Sequence, residues 1–533
     1  MIALDLSLEN LYRQYYRCRR NKRNTINALR FEAEQEKNLI ALRDELLDRS
    51  YQPRRSVCFF TARPKLREIV AADFRDRVVH HLLVDYLERT WEPIFIHDSY
   101  ACRKGKGVHK GVLRLQQFIR RATSNGTRPA WYLQLDIRNF FMSIDRDLLF
   151  AMLSARLRDD TALWLTRMMV YHDVTANCEF RGQRNLLERI PPHKTLFGAP
   201  ANKGLPIGKL NSQFFANVYL NALDQFVKHE LKCRHYLRYC DDFVLLANDP
   251  DTLRHWRDRI DAYLSNSLAL ALNPRQRLAP VSNGIDFLGY IVRGDYLLVR
   301  RRVVHNLVTR LREYESRLVT DRLPPSGLQT VSGVRQQPAA RAYAEVDGAD
   351  SPAAATVSAL PILRCHRFDT PTLDALATTL SSYLGHLKPA NSWRLWQALW
   401  QRFDFLGEYF DFDAERWRLV RKYAVPAGLN TVRRQYRSLR WRFPDDALLF
   451  RVGRFYEFYD IGQPDWLSAL RLQRMGWTRR GACYGFPEQH LRRHLETLLA
   501  TGVAVILVDE RCSEVPGGRL TRVPVCRLSV RAG

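Results

Sequence analysis

The chain has 533 residues, 46% of them hydrophobic and eleven of them tryptophan, which excludes a disordered protein and suffices for three or four domains with sizeable cores. A formal net charge of +27 points to a polyanionic partner, nucleic acid before membrane. Ten cysteines without CxxC spacing or a Cys/His cluster indicate neither zinc nor a disulfide framework, and with no leader pattern or long apolar run the expected location is cytoplasmic, without membrane contact.

Residues 1–60 read as a basic helical extension: Leu11, Ile26, Leu29, Leu39, Leu42, Leu46 and Leu47 recur at steps of three and four. Tyr12, Tyr15 and Tyr16 interleave with Arg13, Arg17, Arg19, Arg20, Lys22 and Arg23, either a solvated basic face or a surface for phosphates and stacked bases. A strand-turn-helix pattern follows over 61–83. Lys65 and Arg67 share a strand face there and are spaced to hold a triphosphate or, equally, a template backbone. The glycines of SYACRKGKGVHKGV (99–112) permit a tight basic loop next to nucleic acid. WYLQLDIRNFFMSID (131–145) is a short strand ending on Asp136, with Phe140 and Phe141 behind it. Residues 171–203, rich in Pro, Gly and Asn, read as a loop or insertion. From Gly204 a Gly-Pro turn leads into an amphipathic helix with Phe214, Phe215, Val218, Tyr219, Ala222, Leu223 and Phe226 in one stripe.

In RHYLRYCDDFVLLAND (234–249) two apolar runs flank adjacent carboxylates, Asp241 and Asp242. The pattern predicts a β-hairpin with acids at its turn. Carboxylates between strands are costly unless they share a cation, so the pair predicts a hard metal with oxygen ligands. A bland Asp-Asp turn is the other reading, and Asp136 on an upstream strand weighs against it.

Two strand-borne acids, one within Tyr239-Cys240-Asp241-Asp242, resemble the palm of a reverse transcriptase, and the resemblance runs from about residue 10 to 410. It implies an α+β multidomain chain: a right-hand polymerase with fingers and palm over 61–295 and a helical thumb over 296–413. Asp136, Asp241 and Asp242 would then be catalytic and metal-binding, with the Ile137 carbonyl completing a site for two Mg2+, or Mn2+. Phe141 matches the side chain that this family sets under the sugar 2′ carbon to select dNTPs. IDFLGYIV (285–292) looks like the primer grip, with Phe287, Leu288, Gly289 and Tyr290. Most such polymerases carry Gln-Gly and then Ser-Pro where this chain has Ile207-Gly208 and Ser212-Gln213. That substitution and the 99–112 loop resemble the enzymes of diversity-generating retroelements, whose copying is error-prone at template adenines.

The resemblance implies a nucleotide pocket of Lys65, Arg67, Phe141, Ile207, Gly208 and Gln213. Its partners would be template RNA, a DNA primer or target, the RNA–DNA hybrid and dNTPs; an accessory protein is compatible with it. Where the family usually has a Lys that can protonate pyrophosphate, this chain has Arg275 and Arg277; arginine does not readily release a proton, so no general acid is assigned. The alternatives are an antiphage or other host-tamed reverse transcriptase without targeted mutagenesis and, from another class, a non-catalytic nucleic-acid scaffold. A group II intron-like mobility enzyme is disfavoured, because no endonuclease or Cys-rich tail is evident.

The thumb opens with a helix over about 301–320. Residues 322–360 are dominated by Pro, Ser, Ala, Gly and Gln, too polar to offset ordering entropy, and predict a flexible insertion. Helical pattern resumes over 371–410. Residues 414–444 read as a basic linker, with Trp417, Tyr423, Tyr436 and Trp441 among its charges; nucleic-acid contact and a solvated linker are both open. Residues 445–533 read as a small α/β module. Phe450-Arg-x-Gly-x-Phe-Tyr-Glu457 and Gly485-Phe-Pro-x-x-x-Leu491 resemble the N-terminal mismatch-recognition domain of MutS. The resemblance implies that Phe455 stacks on a mispaired base and Glu457 hydrogen-bonds it, an insertion favoured where stacking is already weak. A packing-only Phe455 is the alternative. The MutS ATPase is not implied, since no GxxxxGKS/T occurs, and Arg454 stands where MutS usually has Asp.

Overall fold

The computed structural model describes residues 3–20, 25–62, 65–322, 363–423, 429, 431–459, 465–472, 474–478, 481–511 and 521–530. It divides into two compact units, Met1–Leu297 and Leu298–Gly533. Among the described residues no helix is long and apolar enough to cross a membrane.

The first unit is built on a palm sheet, a fingers sheet, the small hairpin of Ile285–Phe287 with Tyr290–Val292, and a helical core. The palm sheet has four antiparallel strands in the order His235–Tyr239, Asp242–Ala247, Trp131–Asp136, Arg277–Pro280. Phe243, Val244, Leu245 and Leu246 are all buried, so this strand is covered on both faces and reads as a continuous apolar run rather than an alternation. The fingers sheet pairs Ser56–Thr61 antiparallel with Arg67–Ala71 and parallel with Cys178–Arg181. The last of these strands comes from the 171–203 stretch expected to be loop; it is four residues long, too short for a periodic signal. Helix Leu210–Gln225 is not amphipathic. Asn211, Ser212, Asn217, Asn221 and Asp224 are buried along with its aromatics, and it runs through the core beside Phe74–Trp91.

At the N-terminus Leu11, Leu39, Leu42 and Leu46 are core, whereas Ile26, Leu29 and Leu47 are exposed. Tyr15 packs against Phe31 and Phe74, and Arg17 and Arg19 pair with Asp85 and Glu32. Part of the basic-aromatic pattern is thus ordinary packing and ion pairing.

In the second unit the thumb and the C-terminal module share one eight-stranded sheet. Its order is Val319–Arg322, Leu363–Arg367, Thr521–Val530, Val505–Arg511, Ala447–Val452, Phe455–Tyr459, Gly481–Pro487, Arg474–Thr478. Strand alternation sorts side chains to two cores. Leu448, Phe450, Ile506 and Val508 face thumb residues such as Leu307, Leu311 and Leu380, while Leu449, Phe458 and Leu507 meet Leu495 and Leu498 of helix Leu491–Ala500.

The boundary expected between thumb and module therefore does not separate two cores. Nothing local signals this, because the two strands nearest the insertion lie 80 residues or more from the rest of the sheet. Of the insertion expected at 322–360, Arg322 ends the strand Val319–Arg322 and the remainder lies outside the described residues. The described residues of the 414–444 linker include the second strand of a hairpin, Phe410–Asp413 with Arg418–Arg421, and helix Val432–Arg442. Tyr423 and Tyr436 are core residues.

Candidate active site

The acids meet where strand register brings them. Asp136, the last residue of its strand, stands opposite Asp242, the first of its own, and directly opposed residues project to one face. Tyr239 pairs with Asp242, so the hairpin closes on the two-residue turn Cys240-Asp241. Cys240 sits at φ 57°, a conformation that costs a non-glycine residue about 1–3 kcal/mol and is kept where surroundings over-determine it.

Those surroundings are built on Arg238. Its guanidinium reaches both oxygens of Asp224 at 2.8 and 2.6 Å, donates to the carbonyl of Cys240 at 3.0 Å and to Ser99 Oγ at 3.1 Å, and meets Asn217 Oδ1 at 3.3 Å. Its backbone pairs with Asp98 and Tyr100. One residue thus fixes the turn that carries the acids, the central helix and the start of the 99–112 loop.

Each flanking acid has its own support. Asn273 Nδ2 donates to Asp136 Oδ2 at 2.9 Å, its backbone NH donates to the Asp136 carbonyl at 2.7 Å, and Arg275 NH holds Asn273 Oδ1 at 3.1 Å. Gln134 Nε2 donates to Asp242 Oδ1 at 3.2 Å. Burial, then the Asp136 charge, pushes the Asp241 carboxyl above its usual range, with Arg67 acting in the opposite direction. The Ile137 NH donates to the Asp241 carbonyl at 3.3 Å. Among the described residues no three His, Cys, Asp or Glu side chains gather closely enough to hold an ion by themselves. The site offers facing carboxylates and leaves further ligands to come from elsewhere.

Phe140 is buried core, and Phe141 is half-buried. Phe141 and Ile207 pack on the same small cluster of Val70, Met142, Val174 and Leu196. Val70 NH donates to the Ile207 carbonyl at 2.8 Å, tying the fingers strand to this wall. Gly208, at φ 112°, is required: a Cβ there would lie 2.8 Å from Ile69 Cγ2 and 2.9 Å from the Val70 carbonyl oxygen. Lys65, Arg67 and Gln213 are exposed. Glu68, on the same strand but buried, accepts from Thr195 Oγ1 and from Leu196 NH at 2.5 Å, which anchors the loop carrying Leu196.

The primer-grip expectation needs correction. Phe287 and Tyr290 are opposed across a two-residue turn and fully buried, so they cannot touch a primer. Only Leu288 (φ 50°) and Gly289 (φ 92°), the turn itself, reach the surface. The primed type of hairpin turn needs positive φ at both central positions, so the stretch encodes a tight turn rather than an aromatic platform.

In the second unit Phe455 and Glu457 lie two apart on one strand and share its face, while Tyr456 turns into the opposite core. Phe455 is 40% exposed. Glu457 is half-buried.

Arg238, Asn273, Gln134 and Glu68 escaped the sequence reading. Arg238 left one signal, a charged residue inside an otherwise apolar strand.

An antiparallel sheet with acids at one end, beside a second three-stranded sheet and a helical core, agrees with the polymerase palm expected from the sequence. Residues 61–292 match the family described as reverse transcriptase (RNA-dependent DNA polymerase), and residues 430–528 match MutS domain I. The chain therefore joins a reverse transcriptase domain, an enzyme domain of the RNA-directed DNA polymerase kind, to a MutS domain I. It is 26% identical over 180 residues to an uncharacterized 91 kDa protein in the cob intron of Schizosaccharomyces pombe, covering 34% of this chain and 19% of that protein. It is 25% identical over 163 residues to the group II intron-encoded protein LtrA of Lactococcus lactis, covering 31% and 23%. The DNA mismatch repair protein MutS of Treponema pallidum is 36% identical over 86 residues, 16% of this chain and 9% of MutS. The chain thus spans about a fifth of the length of the intron proteins and less of MutS. A solved structure of apo telomerase from Candida tropicalis is similar at a TM-score of 0.34 and 11% identity, over 46% of this chain and 56% of that one.

Proposed function

We propose that this protein copies a template RNA into DNA and that, as part of a diversity-generating retroelement, it does so with frequent errors at template adenines. The observation that carries the polymerase reading is the strand register that sets Asp136 opposite Asp242, with Asp241 in the adjoining turn. Reverse transcriptases generally use divalent ions, and this donor set fits Mg2+ or Mn2+, which take one or two carboxylates and complete their shell with water and substrate phosphates. When bound, such ions would activate the primer 3′-hydroxyl and neutralise the pyrophosphate.

The chain's own residues do the positioning. Asn273 and Gln134 orient Asp136 and Asp242, and Arg238 fixes the turn. Arg67 and Lys65 offer exposed cations to triphosphate oxygens. Phe141, braced against the Ile207 cluster, forms the wall that would exclude a 2′-hydroxyl. Ile207 and Gln213, in place of the common Gln and Pro, support the error-prone reading. Phe455, half-exposed beside a Gly turn, supports recognition of distorted duplex or structured RNA by the C-terminal module, where base–aromatic stacking contributes roughly 1–3 kcal/mol.

Asp241→Asn removes one charge with little change in volume. Extension of a primed RNA with Mg2+ or Mn2+ is expected to fall by orders of magnitude while RNA binding persists; extension at the unmodified rate would remove the metal assignment. For the module, Phe455→Ala should erase a preference for mismatched over perfect duplex, measured over a salt series. Equal affinity of the intact protein for both duplexes would leave Phe455 a packing residue.

A further inference from the structure

Helix Val432–Arg442 carries five arginines and no acid. One face is committed to the fold. Gln435, Tyr436 and Leu439 are buried, and Tyr436 stands edge-on to Phe450 and Tyr459 with ring centroids 5.3 and 5.2 Å away. Arg440 donates to the carbonyl of Asp446 at 2.6 Å and so belongs to the helix's own C-terminal support. The opposite face is different. Arg434, Arg437 and Trp441 are exposed at steps of three and four, which places them in one row.

Trp441 is 82% exposed, whereas Trp91, Trp396 and Trp466 are buried and Trp393, itself 41% exposed, packs edge-on against Trp417 and tilted against Phe412. The indole is not part of the helix's buried face, which is made by Gln435, Tyr436 and Leu439. No apolar neighbour in the row makes a groove for a protein helix. A single aromatic plane between cations offers a base its π-face and the adjoining phosphates their counter-charge.

We propose that the row Arg434–Arg437–Trp441 is a docking surface for single-stranded nucleic acid, with Trp441 as the stacking platform. It is separate from Phe455. The helix's C-terminal end adjoins the start of strand Ala447–Val452, and Phe455 pairs with the strand's far end, roughly 17 Å away at about 3.3 Å per residue. The surface does not depend on the polymerase reading, because binding alone reports it.

The test uses the full chain and a uridine 15-mer carrying one 4-thiouridine, cross-linked by light and mapped by peptide mass, single-stranded or in duplex. The peptide containing Trp441 should be labelled by the single strand in preference to the duplex. At subsaturating oligonucleotide, Arg434→Gln/Arg437→Gln should lower that labelling several-fold, with the indole still present to react, and reduce the slope of log K against log salt by about one. Trp441→Ala should weaken binding by about fivefold or more, and Trp441→Phe should restore most of it. Trp441 lies outside the core, so loss of folding does not confuse the result. Absence of label in this peptide, equal labelling by duplex, or equal competition by polyglutamate of matched charge would overturn the proposal.

Discussion

Arg238 and Asp224 face each other inside the polymerase unit with Nη2 2.6 Å from Oδ2, and neither side chain is exposed. Tyr236 shares the same carboxylate, its hydroxyl donating to Oδ1 at 2.8 Å. A buried ion pair contributes little net stability compared with a well-packed apolar pair, but breaking one side leaves an uncompensated charge. Here the pair also holds the Cys240 carbonyl at the strained turn before Asp241.

Arg238→Met should therefore destabilise the polymerase unit by about 3–5 kcal/mol. Arg238→Lys should not rescue it, because an ammonium cannot span Asp224, Ser99 and the Cys240 carbonyl as a planar five-donor fork does. Hydrogen exchange at the amides of 235–247 reads the loss locally. Protection unchanged in both variants would show that the turn is held by other contacts.

Asn273 is predicted to act through Asp136. Losing a hydrogen bond to a charged group costs about 1.5–3 kcal/mol, so Asn273→Ala should lower extension about tenfold or more. The Mg2+ concentration for half-maximal rate should rise, and excess Mg2+ should recover part of the loss. Asn273→Asp, which sets a second carboxylate against Asp136, should be worse at low Mg2+. A rate loss with an unaltered Mg2+ requirement would mean that Asn273 serves only the fold.

Burial, then the charge of Lys209, lowers the His172 pKa to about 4, against about 6.5 for an unfolded histidine. Between those values the unfolded chain takes up the proton first, so stability falls as pH drops from 6.5 toward 4 and is flat above. At pH 5 the loss is about 2 kcal/mol. Buried His80 pulls in the same direction. Asp76 opposes both, since burial raises its pKa to about 6 and folding favours its protonated form between 3.8 and 6. His172→Gln should therefore narrow its stability gap to the parent, or reverse it, between pH 7 and pH 5. Thermal unfolding at the two pH values checks this.

How much of this was legible in the sequence follows from where each signal lies. Asp136 and the Asp241-Asp242 pair were readable because a short apolar strand ending on an acid is local information. The elements around them were harder. The buried helix Leu210–Gln225 hid behind polar residues that pair inside the core, and the primer-grip aromatics, read as exposed, are two inward residues flanking a turn. The common sheet of thumb and module depends on the pairing of Leu363–Arg367 with Thr521–Val530, a contact across some 160 positions that leaves no periodic trace. Supporting residues such as Asn273 were invisible for the same reason. An asparagine two residues before an arginine is unremarkable until the strand that it touches is known.

The last prediction concerns Ile207. Its side chain rests with Phe141 on the Val70–Leu196 cluster, and its carbonyl is fixed by Val70 NH. Gly208 beside it admits no Cβ, so the backbone at this position is held while the side chain varies. In polymerases with Gln here, the amide can hydrogen-bond the incoming nucleotide and help hold the nascent pair in register. Isoleucine is stiff and can neither donate nor accept. A correct pair then loses a contact that a wrong pair never made well. One neutral hydrogen bond is worth ~1 kcal/mol, so discrimination should drop several-fold to about tenfold from this site alone. Adenine, paired by two hydrogen bonds, is the template base most exposed to that loss. Ile207→Gln should therefore reduce misincorporation opposite adenine more than opposite guanine or cytosine. Extension should be retained, because the lost apolar contact lies at the edge of the cluster. Sequencing cDNA made by both proteins on one RNA decides it; an unchanged adenine error spectrum would show that Ile207 does not set fidelity at adenine, with Gln213 the next residue to exchange.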